Sequence, residues 1–265
     1  MRRWAHSLFR WKTRRRRPGT LHVVPAVVSP ELGNTRDILV YLPESYGRGT
    51  RRYPVIYMQD GQNLFDPATS FAGDWGLLAL LADASRKSVQ PIIVAIPNVG
   101  EYRILEYSPF ADHKVGGGQG DKYLDFVIET LKPRIDHSFR TLPDRAGTGI
   151  AGSSMGGLIA LYGFFRRPEV FGYVGALSPS LWFAAGAIFP LVEAAPRNRG
   201  RIYLDIGTNE GAESLANARR MHQLLLGKGY REKVDLHWVE EAGAGHTEAV
   251  WGRRFKAALP FLLNP

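Results

Sequence analysis

Six short runs rich in apolar residues punctuate the chain, at 53–58, 91–96, 146–151, 173–177, 201–206 and 234–239, with glycine, proline or polar residues around them. Runs of this length suit strands buried on both faces. Between them lie segments with helical spacing: 75–84, 121–139, 157–165, 214–226 and a last one ending at Leu263. In 121–139 the apolar positions Tyr123, Leu124, Phe126, Val127, Leu131 and Ile135 form one helical stripe. Two earlier runs, 21–28 and 36–42, are joined by the turn-rich Ser29-Pro30-Glu31-Leu32-Gly33-Asn34 and predict an antiparallel hairpin at a sheet edge. Repeated strand-helix alternation predicts an α/β fold, a mostly parallel central sheet with helices on both faces. Only some twenty residues separate the strands at 173–177 and 201–206, which leaves no room for a large lid domain.

One junction carries chemistry. The run into Ile150-Ala151-Gly152-Ser153-Ser154-Met155-Gly156-Gly157 continues directly into the helix-forming Leu158-Ile159-Ala160-Leu161-Tyr162. G-x-S-x-G between a strand and a helix is the pattern of a nucleophile elbow. A sharp turn there exposes the central serine and aims the next backbone N–H at an oxyanion. The small residues two before and two after the serine let neighbouring backbone approach closely. Ser154 is therefore the candidate nucleophile, and Met155 supplies one oxyanion N–H.

A serine hydroxyl needs a base, usually histidine. The seven histidines are His6, His22, His113, His137, His222, His237 and His246, and only His113 and His246 fall on loops expected beyond the carboxyl ends of strands. His246 follows the last strand in Gly243-Ala244-Gly245-His246-Thr247, where an α/β-hydrolase keeps its base. His113 is assigned to a binding loop. The third member should be a carboxylate after the strand at 201–206, to fix the imidazole tautomer. Glu210, in Gly207-Thr208-Asn209-Glu210-Gly211, is the expected one, with Asp205 inside the strand as the alternative. The chain order Ser154, Glu210, His246 is that of the α/β-hydrolases. The polar loop Gln59-Asp60-Gly61-Gln62-Asn63, also at a strand's carboxyl end, is expected to give the second oxyanion donor through the Gln62 N–H. The long aromatic segment 101–120 and the turn after residue 177 supply Arg103, Tyr107, Trp182 and Phe183 as candidate substrate-binding residues.

Composition narrows the alternatives. The 265 residues contain no cysteine, which excludes disulfides, thiolate metal sites and a cysteine nucleophile. The net charge of +9 is concentrated at the start of the chain. Residues 1–19 hold eight of the 34 Lys and Arg and no acid, leaving 26 basic against 25 acidic residues beyond them. The expectation is a basic, flexible tail over 1–19 and a catalytic domain over 20–265. The tail could make loose contact with an anionic surface, and no specific nucleic-acid partner is expected. Its longest apolar stretch is too short for a secretory signal and no later run is long enough for a membrane span, which favours a soluble, cytoplasmic protein.

The stretches Asp60-Gly61-Gln62-Asn63-Leu64-Phe65, Gly152-Ser153-Ser154-Met155-Gly156-Gly157, Ala176-Leu177-Ser178-Pro179-Ser180 and Gly245-His246 together resemble the Putative esterase family, over roughly residues 20–263. That family includes siderophore esterases, feruloyl and acetylxylan esterases, S-formylglutathione hydrolases and mycolyltransferases. The resemblance implies an α/β-hydrolase without metal or cofactor, with Ser154 as nucleophile and His246 as base. The expected activity is serine carboxylic ester hydrolysis through an acyl-enzyme, on small soluble or short-chain esters. Acyl transfer by the same residues, or a noncatalytic binding module on a hydrolase scaffold, are the alternatives.

Overall fold

The computed structural model describes residues 19–84 and 90–263. The expected basic tail, apart from Gly19, lies outside the described residues. The central sheet has eight strands: β1 (Thr20–Ser29), β2 (Asn34–Leu42), β3 (Val55–Gln59), β4 (Ile92–Ile96), β5 (Thr148–Ser153), β6 (Tyr173–Leu177), β7 (Arg201–Gly207) and β8 (Leu236–Glu241). Their spatial order is β1-β2-β4-β3-β5-β6-β7-β8. The β1–β2 and β2–β4 pairs are antiparallel and every later pair is parallel. The hairpin therefore sits at one edge, and the order turns between β3 and β5, whose connections leave in opposite directions, which is where open α/β sheets bind ligands.

The apolar runs become strands because they can be covered twice. β3, β4, β5 and β6 are buried at every position, as parallel strands between helical layers must be. The pleat sends neighbours to opposite faces. In β3, Val55 and Tyr57 join one core with Val94, Ile150, Leu158, Phe164 and Met221. Ile56 and Met58 join the other, with Leu81, Trp75, Trp251, Phe255 and Leu259. Among the described residues these layers are built by four helices of eight or more residues, α1 (Leu77–Ala84), α2 (Met155–Arg166), α3 (Ala212–Gly227) and α4 (Glu248–Leu263), and by the helical segment 120–138.

Three segments depart from the expected pattern. The helix expected over 121–139 is Gly120–Asp125, then a π turn over Phe126–Leu131, then Lys132–Ser138. Pro133 has no N–H to give the Glu129 carbonyl, and the widened turn accommodates that gap. The segment 101–120 contains the helix Arg103–Tyr107 and a small antiparallel hairpin pairing Ala111–Asp112 with Gly116–Gly117. After β6 come two short helices, Phe183–Gly186 and Ile188–Ala194. Among the described residues no helix is long and apolar enough to cross a membrane.

Candidate active site

β5 ends at Ser153 and α2 begins at Met155, so the corner is made by Ser154 alone. Its φ of 56° and ψ of −124° are a conformation that side-chain-bearing residues rarely adopt and that costs on the order of 1–3 kcal/mol. The surroundings hold it there. Its N–H donates to the Leu177 carbonyl, and its own carbonyl accepts the N–H groups of Leu158 and Ser180, each at 3.0 Å. The flanking glycines are required by contact: a Cβ on Gly152 would stand 2.7 Å from the Gly156 carbonyl group, and one on Gly156 would stand 2.9 Å from Gln59 Cβ. Ser154 is half-buried while Ser153 is buried. As the first residue of α2, Met155 has an N–H without an intrahelical acceptor.

The loops after β7 and β8 bind one another. The Thr208 N–H donates to the Glu241 carbonyl and the Asn209 N–H to the Ala244 carbonyl, both at 3.0 Å, while the Gly243 N–H donates to Thr208 Oγ1 at 2.8 Å. This zipper brings Glu210 to His246, with Nδ1 and Oε2 2.7 Å apart. Glu210 is buried to 1% and His246 is 44% exposed, so the carboxylate lies inside and the imidazole at the mouth. Burial opposes ionisation of Glu210. Hydrogen bonds from His246, Ser178 Oγ and the Gly207 N–H outweigh it and hold the carboxyl below its usual range. An ionised Glu210 only accepts, so His246 Nδ1 carries the proton and Nε2 is the free nitrogen of the neutral ring. Asp205 does not meet His246. It is fully buried in β7, accepting from the Ser178 N–H at 2.9 Å and from Arg254 Nη1 at 3.1 Å, and burial pushes its pKa up to about 7.

The turn after β6 joins the two halves. Ser178, at a φ of 41°, donates through Oγ to Glu210 Oε1 at 2.7 Å, and Ser180 Oγ lies 3.2 Å from Ser154 Oγ. Among the hydrogen bonds of the described residues, none joins Ser154 Oγ to His246. The serine hydroxyl rests instead on Ser180, and catalytic hydrogen bonds commonly tighten only once substrate is bound.

The loop after β3 is braced from below. Asp60, at a φ of 53°, receives Arg103 in a bidentate pair, Nε to Oδ1 at 2.7 Å and Nη2 to Oδ2 at 2.8 Å. Asn98 Nδ2 adds a third bond to Asp60 at 2.6 Å, and the Asp60 N–H donates to Tyr107 Oη at 3.0 Å. The Asn98 N–H holds the Gln62 side chain through Oε1 at 3.1 Å. A Cβ on Gly61 would stand 2.6 Å from the Ala95 carbonyl carbon, so the loop lies tight against β4. It also neighbours the elbow, because a Cβ on Gly156 would stand 3.4 Å from Asp60 Oδ2.

Two of the expected substrate-binding residues are corrected. Tyr107 is wholly buried and Phe183 is 2% exposed, so neither can touch a ligand. The five-residue helix Arg103–Tyr107 turns Tyr107 inward against Tyr123, where its hydroxyl braces Asp60. Phe183 joins the core with Leu181 and Phe189. Arg103 is about one-quarter exposed and its guanidinium is engaged by Asp60, which makes it a clamp on the loop. Trp182 is 46% exposed at the start of the turn's short helix. No role was expected from the sequence for Ser178, Ser180, Trp251 or Arg254, although Ser178 and Ser180 lie in one of the stretches that carry the family resemblance. For Trp251 and Arg254 the one local signal is their i, i+3 spacing soon after His246, which puts them on a shared helix face. Among the described residues no cluster of three or more His, Asp or Glu is arranged to hold a metal.

Sheet order, elbow and strand-end loops together define an α/β-hydrolase fold. The chain belongs to the Putative esterase family, whose model matches residues 29–262, and it is a carboxylic ester hydrolase. It is similar to the uncharacterized protein YbbA of Bacillus subtilis, 28% identical over 89% of this chain and 95% of that one. It is 27% identical to the iron(III) salmochelin esterase of Escherichia coli over 83% of this chain, and spans about half (52%) of that protein's length. Among solved structures, an IroE-like serine hydrolase from Shewanella oneidensis superposes with a TM-score of 0.73 at 21% identity, over 91% of this chain and 80% of that one.

Proposed function

We propose that the chain cleaves esters through an acyl-enzyme on Ser154. The single observation that carries this reading is the 2.7 Å Glu210–His246 pair, on loops tied to the turn that touches the strained Ser154 corner. His246 Nε2 takes the Ser154 proton as Oγ attacks the ester carbonyl, and the Glu210 carboxylate stabilises the imidazolium that forms. The tetrahedral oxyanion accepts the N–H groups of Met155 and Gln62, each such donor contributing about 3 kcal/mol in the transition state. The imidazolium then protonates the leaving alkoxide, the C–O bond breaks, and water activated by the same base releases the acid.

The substrates are soluble or short-chain esters. That reading is supported by the brevity of the segment after β6, which holds only two short helices, and by the solvent-facing Trp182 at its start. A relative named for the ester of one compound, the iron(III) salmochelin esterase, is consistent with a small-molecule substrate. Mixing excess p-nitrophenyl acetate with enzyme should release a burst of about one nitrophenol per chain before slower turnover, with an acetyl group on acid-quenched protein. Turnover without burst or adduct would contradict the covalent route.

A further inference from the structure

Behind the Glu210–His246 pair lies a set of hydrogen bonds reaching back into α4. Ser178 Oγ is the junction. Trp251 Nε1 approaches it at 3.0 Å, Arg254 Nη1 at 3.2 Å and Glu210 Oε1 at 2.7 Å. An indole N–H and a guanidinium can only donate, so together they occupy both lone pairs of the hydroxyl. The one Ser178 proton is thereby directed to Glu210. The Gly207 N–H, at 2.7 Å, also donates to Oε1, and Arg254 Nη1 lies 3.4 Å from it. One carboxylate oxygen is thus saturated by donors, and the other faces His246 Nδ1.

Trp251 touches both ends of this relay. Its ring packs against His246 edge to face, with centroids 4.6 Å apart at 87°, while its N–H points at Ser178. Ser178 and Trp251 are 2% and 5% exposed, so no water competes freely for these bonds. Arg254 is held from the other side by Asp205 and Glu241.

We infer that Ser178 and Trp251 are positioning residues, which together fix the rotation of the Glu210 carboxylate and the plane of the His246 ring. This rests on the reading of Glu210 and His246 as acid and base. Neither residue touches substrate, so the effect belongs on kcat and not on KM.

The test compares Ser178→Ala, Trp251→Phe and Glu210→Gln on the full chain, with kcat, KM and the downfield proton resonance of His246 Nδ1–H as readouts. Trp251→Phe keeps an aromatic ring beside His246 while removing the N–H together with part of the indole, so it remains informative if Ser178→Ala folds poorly. We expect Ser178→Ala to lower kcat by about tenfold to thirtyfold with KM within twofold, and to shift or broaden the Nδ1 proton signal. Trp251→Phe should move both in the same direction by about threefold to fivefold in kcat. Folded variants with wild-type kcat and an unmoved Nδ1 signal, alongside a crippled Glu210→Gln, would overturn the inference alone. A silent Glu210→Gln would overturn the acid-base reading and this inference with it.

Discussion

The two halves of the site are held by different means. The Ser154 corner is positioned by backbone: three main-chain hydrogen bonds, a strained φ, and glycines on which a Cβ would collide with neighbouring atoms. The Glu210–His246 pair is brought together by bonds between its two loops and then oriented largely by side chains: the Ser178 hydroxyl, itself fixed by an indole and a guanidinium, holds the carboxylate together with the Gly207 N–H. Backbone placement is insensitive to side-chain chemistry and intolerant of added volume. Side-chain placement tolerates volume better and fails when a single donor is lost. The first half should therefore break by unfolding, and the second by losing rate while folded.

The largest effect should separate the halves at once. Glu210→Gln keeps shape but cannot hold His246 in the same tautomer, and kcat should fall by about 10³, roughly 4 kcal/mol, with the thermal midpoint nearly unchanged. Steady-state kinetics beside calorimetry checks both parts. Next in size is Gly152→Ala. Its added Cβ meets the Gly156 backbone at 2.7 Å, and the variant should lose about 3 kcal/mol of stability by denaturant titration.

A smaller effect sharpens the electrostatic side. Asp205, fully buried, has its pKa raised to about 7. The folded chain then keeps a proton that the unfolded chain releases above about pH 4, so this group's contribution is fully present below that pH and is lost as pH rises to about 7. Asp205→Asn should flatten stability between pH 4 and 7 when urea midpoints are measured across that range. An unchanged slope would show that Asp205 ionises freely in the folded state.

Much of the fold was legible because its signals are local. The burial of 173–177 on both faces follows from five consecutive residues that suit a parallel strand, and β6 has those bounds. The turn at Ser154 was legible for a related reason: a corner with no room for side chains requires glycines at fixed offsets. Tyr107 and Phe183 were misplaced because an aromatic residue in a segment following a strand suits a pocket or a core equally. A five-residue helix is too short for periodicity to decide between them. Arg254 was invisible for the opposite reason. A charge on a helix reads as solvent-facing, and it is buried here only because Asp205, Glu210 and Glu241 reach it from loops and strands distant in sequence. Long-range pairing of that kind leaves no mark on the local pattern.

The central claim is that the corner presents Ser154, and not its neighbour Ser153, for acylation. Labelling with a fluorophosphonate followed by mass spectrometry of the peptide containing both residues tests it directly. One adduct is expected, on Ser154, absent in Ser154→Ala and retained in Ser153→Ala, with turnover of Ser154→Ala reduced by about 10⁴ to 10⁶. An adduct on Ser153, or unchanged turnover in folded Ser154→Ala, would contradict it.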